Sequence, residues 1–434
     1  MIKIDDKDGL ITDRLHSWHP FTQMKEYLNF PRISVEKGEG CWIWDTEGNR
    51  YLDGNASVWT NVHGHAHPAL DEAIKKQLSK IAHSTWLGLT HPCASKLTEK
   101  LINICQNYYQ RIFFSDNGSN AVEIALKQSF QYWQNLGKPQ KQKVIGLEDA
   151  YHGDTFGTMS VGSSDRFHDK FSAWCFESIK LPHPEDGFER SLSLLEKILS
   201  DKAETIACFI VEPFVQGAAG MRVVSDSFVK SSIMLCKKYK VQVIFDEVFV
   251  GFGRLGDLIP SVSSGLRADF TCLGKGLSGG YLPLAATLTR EEVYQTFLGN
   301  FQEEKTFFHG HTFTANPLAS VVALESICLL EPIIKSGDLQ RRISYFTKRV
   351  EQHFSSHPLI ASIYHAGFCA CLKLNNKEHP QNLPRIGLHF ALKARENGLI
   401  LRPLRDAILL VPPICISCPE IDFLCENLSI VLQY

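Results

Sequence analysis

Apolar residues in this chain gather in short unbroken runs rather than in strict alternation. Five runs stand out: "QRIFFS" (110–115), "QKVIGLE" (142–148), "TIACFIVE" (205–212), "VQVIFDE" (241–247) and "DFTCLGK" (269–275). Apolar runs of this length without alternation predict strands buried on both faces, as in a parallel sheet covered by helices. The first run leads through "DNGSN" into "AVEIALKQSFQYWQ", which has the period of an amphipathic helix. Strand and helix patterns in alternation predict an α/β, doubly wound domain.

The residues just beyond each run are more informative than the runs themselves. In open α/β sheets, ligands bind beyond the carboxyl ends of the strands. Here those ends carry Ser119, Tyr151, Glu212, Asp246 and Lys275. Lys275 lies between two glycines in "LGKGLSGG" (273–280). A lysine in an apolar, glycine-cleared pocket has a depressed pKa and is suited to a Schiff base. "NGSN" (117–120) opens a helix, so Gly118, Ser119 and Asn120 offer donors to a phosphate, although a plain N-cap explains the same residues. Asp246 reads either as an ion-pair partner of Arg254 or as a carboxylate facing a protonated ring nitrogen. Glu212 reads as a hydrogen-bonding group near the same ring, with general base as the alternative. One cofactor needs all of these parts: pyridoxal 5'-phosphate, with its phosphate, ring nitrogen, aromatic face and aldehyde.

Composition narrows the setting. The 45 Lys and Arg nearly balance 47 Asp and Glu, so no basic excess points to nucleic acid. The start, "MIKIDDKDGLITDR", lacks an apolar core of the signal-peptide kind, and no unbroken apolar run is long enough to span a membrane. A cytoplasmic protein is expected, with its 13 cysteines as reduced thiols. "CISC" (415–418) has no second pair, and "HGHAH" (63–67) and "HGH" (309–311) fall in predicted loops. These read as buried thiols and loop histidines, and no metal site is expected.

The segment "VIFDEVFVGFGRLG" with Lys275 beyond it resembles the class III aminotransferases, enzymes of pyridoxal-phosphate fold type I. "WHPFT", "VHGHAHP", "SDNGSNAVEIALK", "YHGDTFGTMSV", "EPFVQGAAGMR", "HGHTFTANPLA" and "LRPLRD" extend the resemblance over nearly the whole chain. It implies a large domain over 60–330 with a mixed, mostly parallel sheet, and a smaller α+β domain over 331–434. The segment 1–59 would contribute to the small domain and the site. It also implies that Lys275 holds the cofactor covalently, Asp246 keeps its ring nitrogen protonated, and Tyr151 stacks on the ring and lines the substrate pocket. Gly118, Ser119 and Asn120 would bind the phosphate. His311 and Thr312 would bind it from the partner subunit of a homodimer. Gly310 would offer backbone to the substrate, and Arg402 would receive a keto acid's carboxylate. "WHPFT" and "YHGDTFG" resemble the branch of the class that converts 8-amino-7-oxononanoate to 7,8-diaminononanoate in biotin biosynthesis, with S-adenosylmethionine as donor and lysine as the alternative.

Three positions depart from that pattern. Phe21 and Leu409 stand where tyrosine is usual, and Val58 stands where the first of two tryptophans is usual, leaving Trp59. In the family all three line the substrate pocket. Loss of an aromatic face at Val58 bears on a sulfonium donor held by cation–π contact, while Arg405 adds a positive charge nearby in sequence. Neutral drift and a change of donor both account for the departures. Another ω-amino acid aminotransferase or aminomutase is the alternative activity, and a pyridoxal-phosphate-binding protein without turnover is the remote one.

Overall fold

A computed structural model of the chain describes residues 8–163, 165–375 and 385–433; the first seven residues of the N-terminal stretch lie outside them. The central sheet has seven strands. In chain order they are β1 (Arg111–Ser115), β2 (Lys143–Leu147), β3 (Ile179–Leu181), β4 (Ile206–Val211), β5 (Gln242–Asp246), β6 (Phe270–Leu273) and β7 (Ala285–Thr289). Across the sheet they run β1–β7–β6–β5–β4–β2–β3. All five apolar runs are strands. The pattern gave no sign of β3 or β7, and β7 is the antiparallel strand, paired with both β6 and β1.

The absence of alternation has a direct cause: every residue of β4, β5, β6 and β7 is buried. On one face lies the helix Gly118–Asn135, which turns Ala121, Val122, Ala125 and Leu126 onto Ile210, Ile244 and Cys272. On the other, helices Phe188–Lys202 and Asp226–Lys238 bring Leu195, Leu199 and Phe228 against Phe209 and Phe245. Fully burying such side chains is worth about 1.5–3 kcal/mol each, so a polar residue in β4 or β5 would be poorly tolerated.

Two smaller sheets flank this layer. Val35–Glu39, Trp42–Asp45 and Arg50–Asp53 form an antiparallel sheet that Leu399–Ile400 joins in parallel, so the two ends of the chain share it. Ile360–His365, Ala370–Leu374, Ala407–Leu410 and Arg402–Leu404 form an antiparallel sheet. Helix Pro317–Lys335 is, among the described residues, the one helix long and apolar enough to cross a membrane. Glu325 and Glu331 interrupt its apolar run in sequence. Its Ala319, Val322, Ala323, Ile327 and Leu330 are buried, and it packs on helices Pro68–Leu78 and Pro92–Ile104.

Arg254 ties the layers together. It is 2% exposed, and its Nη1 donates to the carbonyls of Phe368 at 2.8 Å and Pro412 at 2.7 Å. Removing the guanidinium strands two buried carbonyls. Arg254→Met is expected to lower stability by about 2–4 kcal/mol, read as a lower urea midpoint, whereas an exposed control such as Arg341→Met leaves the midpoint unchanged.

Candidate functional site

The carboxyl ends of the strands open onto one cavity of about 730 Å³. Ser119, Tyr151, Glu212, Asp246 and Lys275 all line it, together with Gly118 and Trp59. Lys275 follows β6 with φ 43°. Its Nζ lies 4.9 Å from the Trp59 ring centroid and 5.4 Å from that of Phe249. Burial pushes the Lys275 amine down to about 8, against the upward pull of Asp246 and Glu212.

The glycines around Lys275 serve close packing. A Cβ on Gly276 would stand 3.1 Å from Phe252 Cβ and 3.3 Å from Val62 Cγ2, in the core. One on Gly274 would stand 3.2 Å from Val248 Cγ1 and 3.4 Å from the Gly118 Cα. These glycines therefore let the lysine-bearing turn approach the helix that begins at Gly118. Gly118 is itself required, because a Cβ there would meet Val248 Cγ1 at 2.4 Å.

Trp59 reaches Lys275 through an unusual turn. Ala56, Ser57, Val58 and Trp59 have φ of 45°, 47°, 66° and 71°, and the N–H groups of Trp59 and Thr60 donate to the carbonyls of Asn55 and Ala56, each at 2.9 Å. This is one turn of left-handed helix. It costs about 1–2 kcal/mol per residue in L-amino acids, and most at β-branched Val58. The turn sets the half-buried Trp59 against Phe249, at 4.7 Å between ring centroids, and leaves Val58 exposed and outside the cavity lining.

Asp246 does not pair with Arg254. Its Oδ2 lies 2.7 Å from Nδ1 of His152, and its Oδ1 accepts the Val248 N–H at 3.1 Å. Glu212 accepts the N–H of Tyr151 at 3.1 Å and of Gly217 at 3.3 Å. Burial and the charge of Asp246 push its carboxyl up to about 8. At neutral pH Glu212 therefore holds a proton beside Asp246.

At the helix start, Asn117 Oδ1 caps the Asn120 N–H at 2.9 Å. The N–H groups of Gly118 and Ser119 are left without partners inside the helix. Asn120 turns its amide onto Asp116 Oδ1 at 2.6 Å and does not line the cavity. Around Ser119, Thr155 donates its hydroxyl to Glu123 Oε2 at 2.7 Å, and Thr158 donates to the Thr155 carbonyl at 2.9 Å. Both threonine protons are thus committed. Ser119, 3.0 Å from each threonine oxygen, is left as the hydroxyl donor of the group.

The mouth is aromatic and charged. Tyr151 donates to Asp154 Oδ2 at 2.8 Å, and His168 Nε2 lies 3.3 Å from Asp154 Oδ1. Phe167 stands 6.3 Å from Tyr151 and 5.5 Å from Phe21, whose ring lies 6.0 Å from the Arg402 guanidinium carbon. Phe21 and Arg402 therefore sit together beside Tyr151. Gly310, His311 and Thr312 lie on a stretch outside this cavity. Leu409 is fully buried with Phe249, Val250 and Cys371, so it packs behind the site rather than lining it. Sequence reasoning missed His152, Asp154 and Phe167. The first two stand in "YHGD", directly beside Tyr151, while Phe167 carried no signal. Among the described residues no cluster of histidine, cysteine or acid could hold a metal; His63 bonds Ser326 and His65 bonds Asp53.

Buried acids make the stability of the cofactor-free protein depend on pH. Behind the cavity, Glu247 is fully buried and pushed up to about 7 by that burial. The folded state thus keeps a proton that the unfolded chain releases above about pH 4.5, so stability falls as pH rises towards 7. Melting of the cofactor-free protein between pH 5.5 and 8 is expected to show a falling Tm. Glu247→Gln removes up to about 2 kcal/mol of that dependence over this window; an unchanged slope would contradict the assignment.

Comparison with known proteins gives the same picture. The Aminotransferase class-III family matches residues 22–432. The adenosylmethionine-8-amino-7-oxononanoate aminotransferase of Geobacter sulfurreducens is 42% identical, covering 96% of this chain and 95% of its own. A crystal structure of the enzyme of that name from Methanocaldococcus jannaschii superposes with a TM-score of 0.92 at 36% identity, over 99% of both chains. An omega transaminase from Pseudomonas jessenii, solved in complex with PMP, superposes with a TM-score of 0.88 at 29% identity, over 98% of this chain and 97% of that one. With the strand ends, the buried lysine and the two carboxylates in place, the chain belongs to the class III aminotransferases.

Proposed function

We propose that this protein transfers an amino group to 8-amino-7-oxononanoate, giving 7,8-diaminononanoate in biotin biosynthesis, with S-adenosylmethionine as donor. The observation that carries the reading is the convergence of Lys275, Asp246, Glu212, Tyr151 and Ser119 on one cavity, in a chain 42% identical over nearly its whole length to an enzyme of that name. Pyridoxal phosphate, the cofactor of the class, supplies when bound a carbonyl that exchanges for an amine and a ring that takes up an electron pair. The cavity fits it: a lysine amine at about 8, N–H groups of Gly118 and Ser119 at a helix start, and the buried Nε1 of Trp59, without a partner among the described residues.

In this reading Lys275 holds the cofactor and moves the proton at the substrate carbon. Its depressed pKa makes the neutral amine available near neutral pH. Asp246 keeps the ring nitrogen protonated. Gly118 and Ser119 hold the phosphate, with the Ser119 hydroxyl as donor, while Asn120, its amide and N–H both engaged, steadies the turn. Arg402 receives the keto acid's carboxylate, a task suited to a planar guanidinium. Tyr151 commits its hydroxyl hydrogen to a bond with Asp154 and so meets a substrate as an acceptor. Phe21 and Trp59 line the approach.

His311 and Thr312 complete the phosphate site of the other subunit in a homodimer, where Gly310 offers backbone to the substrate. Support comes from their place outside this chain's own cavity and from Phe308 and Phe313 beside them, 81% and 58% exposed. The 13 cysteines are all free thiols, in keeping with the reducing cytoplasm.

The test is product formation from 8-amino-7-oxononanoate by the pyridoxal-phosphate-loaded protein, with S-adenosylmethionine or lysine as donor. Product with S-adenosylmethionine is expected. Product with lysine alone moves the donor and ties the change to Phe21 at the mouth. Turnover only of other ω-amino acids sinks the reading. Lys275→Ala is expected to lower the rate roughly 10³-fold or more while leaving the melting curve near wild type.

A further inference from the structure

Two of the free thiols touch each other. Cys41 Sγ lies 3.6 Å from Cys415 Sγ, across 374 residues of chain. This is the one hydrogen-bonding contact between cysteine sulfurs among the described residues. The partners come from opposite ends of the chain. Cys41 directly precedes strand Trp42–Asp45 of the N-terminal sheet, and Cys415 stands just before the last helix, Cys418–Val431.

Both backbones are pinned. The Cys41 carbonyl accepts the Asp53 N–H at 2.8 Å, and the neighbouring Gly40 exchanges two backbone bonds with His65. Cys415 donates its N–H to the Val62 carbonyl at 2.9 Å. Arg342 Nη1 donates to the carbonyls on either side of it, Ile414 and Ile416. A parallel link runs alongside: Trp42 donates its indole N–H to Glu420 Oε1 at 2.8 Å, and Glu420 Oε2 accepts the Ser417 N–H at 2.8 Å. Bonded sulfurs stand about 2.0 Å apart, so the pair needs only a short side-chain movement to join.

The two thiols differ in access. Cys41 is 2% exposed, whereas Cys415 is half-buried. The contact with Cys415, burial and the nearby Glu420 carboxylate together push the Cys41 thiol far up. Cys41 therefore keeps its proton and is shielded, and Cys415 is the sulfur that an oxidant reaches. An accessible thiol with a second cysteine against it is the arrangement of a redox sensor.

We infer that Cys41 and Cys415 form a redox-sensitive site: a peroxide oxidises Cys415, and Cys41 resolves it as a reversible disulfide that staples the N-terminal sheet to the last helix. In the first step the Cys415 sulfur takes one oxygen from the peroxide. The O–O bond breaks, the other oxygen leaves as water, and Cys415 becomes a sulfenic acid. The Cys41 sulfur then attacks the Cys415 sulfur, the S–O bond breaks, and the hydroxyl leaves with the Cys41 proton as a second water. Two thiols are oxidised and one peroxide is reduced to two waters. The bond keeps Cys415 from the irreversible sulfinic stage, and a reductant restores both thiols. In a reducing compartment the disulfide is transient. Joining residues so far apart in sequence constrains the unfolded chain strongly.

The experiment treats the pyridoxal-phosphate-loaded protein with one equivalent of hydrogen peroxide, blocks remaining thiols, and maps the digest by mass spectrometry. The expected product is a peptide containing Cys41 linked to Cys415, lost on reduction. The oxidised protein is expected to melt about 2–5 °C higher than the reduced one. Cys41→Ser should give no linked peptide and no rise in Tm, with Cys415 carried on to the sulfinic acid, while Cys418→Ser should link as wild type does. Mapping of the wild-type protein decides the matter if the Cys41 variant does not fold. The proposal is overturned if fragmentation places the bond between Cys415 and Cys418, if Cys41 and Cys415 stay reduced while other thiols are oxidised, or if the linked peptide forms only in urea. A linked protein that melts no higher than the reduced one overturns the staple.

Discussion

The structure is organised around a group of ionisable residues held out of water at the carboxyl edge of one sheet. Lys275, Asp246 and Glu212 share a cavity wall. Burial pushes the lysine down, and burial with the charge of Asp246 pushes the glutamate up, to about 8 in each case. A cluster of this kind is tolerable only where its charges nearly balance and each carboxylate has donors. Both conditions hold. Glu212 takes two backbone N–H groups, and Asp246 takes His152 and a backbone N–H. The remaining imbalance is absorbed by a protonated Glu212. The sheet makes this possible, because adjacent strands ending at the same level deliver groups from distant parts of the chain to within one cavity.

Close backbone approach is the second constraint. The turn bearing Lys275 must sit against the helix start that offers its N–H groups, and Gly118 and Gly274 make that contact sterically possible. The left-handed turn at 56–59 works in the same direction at greater cost, because none of its residues is a glycine. Strain of this kind persists only where the surroundings over-determine it. Here Trp59 is locked against Phe249 and its turn is closed by two backbone bonds.

Much of this was legible in the sequence, and what was missed has physical reasons. The five apolar runs read as strands because full burial on both faces removes alternation. Their ends could be pooled into one site because a parallel sheet sends ligands to one edge. β7 escaped notice because "AATLT" is short and small. The glycines beside Lys275 were seen, but their purpose was not: whether a missing Cβ faces a ligand or a neighbouring backbone depends on tertiary contacts. Asp246 had two candidate partners, Arg254 and a ring, and the structure gives it a third protein partner, His152, from another strand end. Nothing local in sequence links those two residues. The Leu409 departure looked like a change in the pocket, but at this position the side chain is wholly within the core.

The three departures therefore do not form one group. Leu409 lies behind the site, where leucine is an ordinary core choice, and its effect on a substrate can only be indirect. Val58 sits outside the cavity lining, on a strained turn whose geometry depends on Trp59 rather than on its own side chain. Phe21 is the departure in contact with the substrate-facing groups, through Arg402 and Phe167. The loss of a tyrosine hydroxyl there removes a polar group from the mouth but keeps the aromatic face that the guanidinium rests on. Asp246 and Ser119 are locked by hydrogen bonds on both sides, so change at either would disturb several neighbours. Phe21 is 57% exposed and held mainly by ring contacts, so substitution there leaves the rest of the site in place. On the proposed reading, room to vary the amino donor lies at that mouth, while aminotransfer depends on the buried charges beneath it.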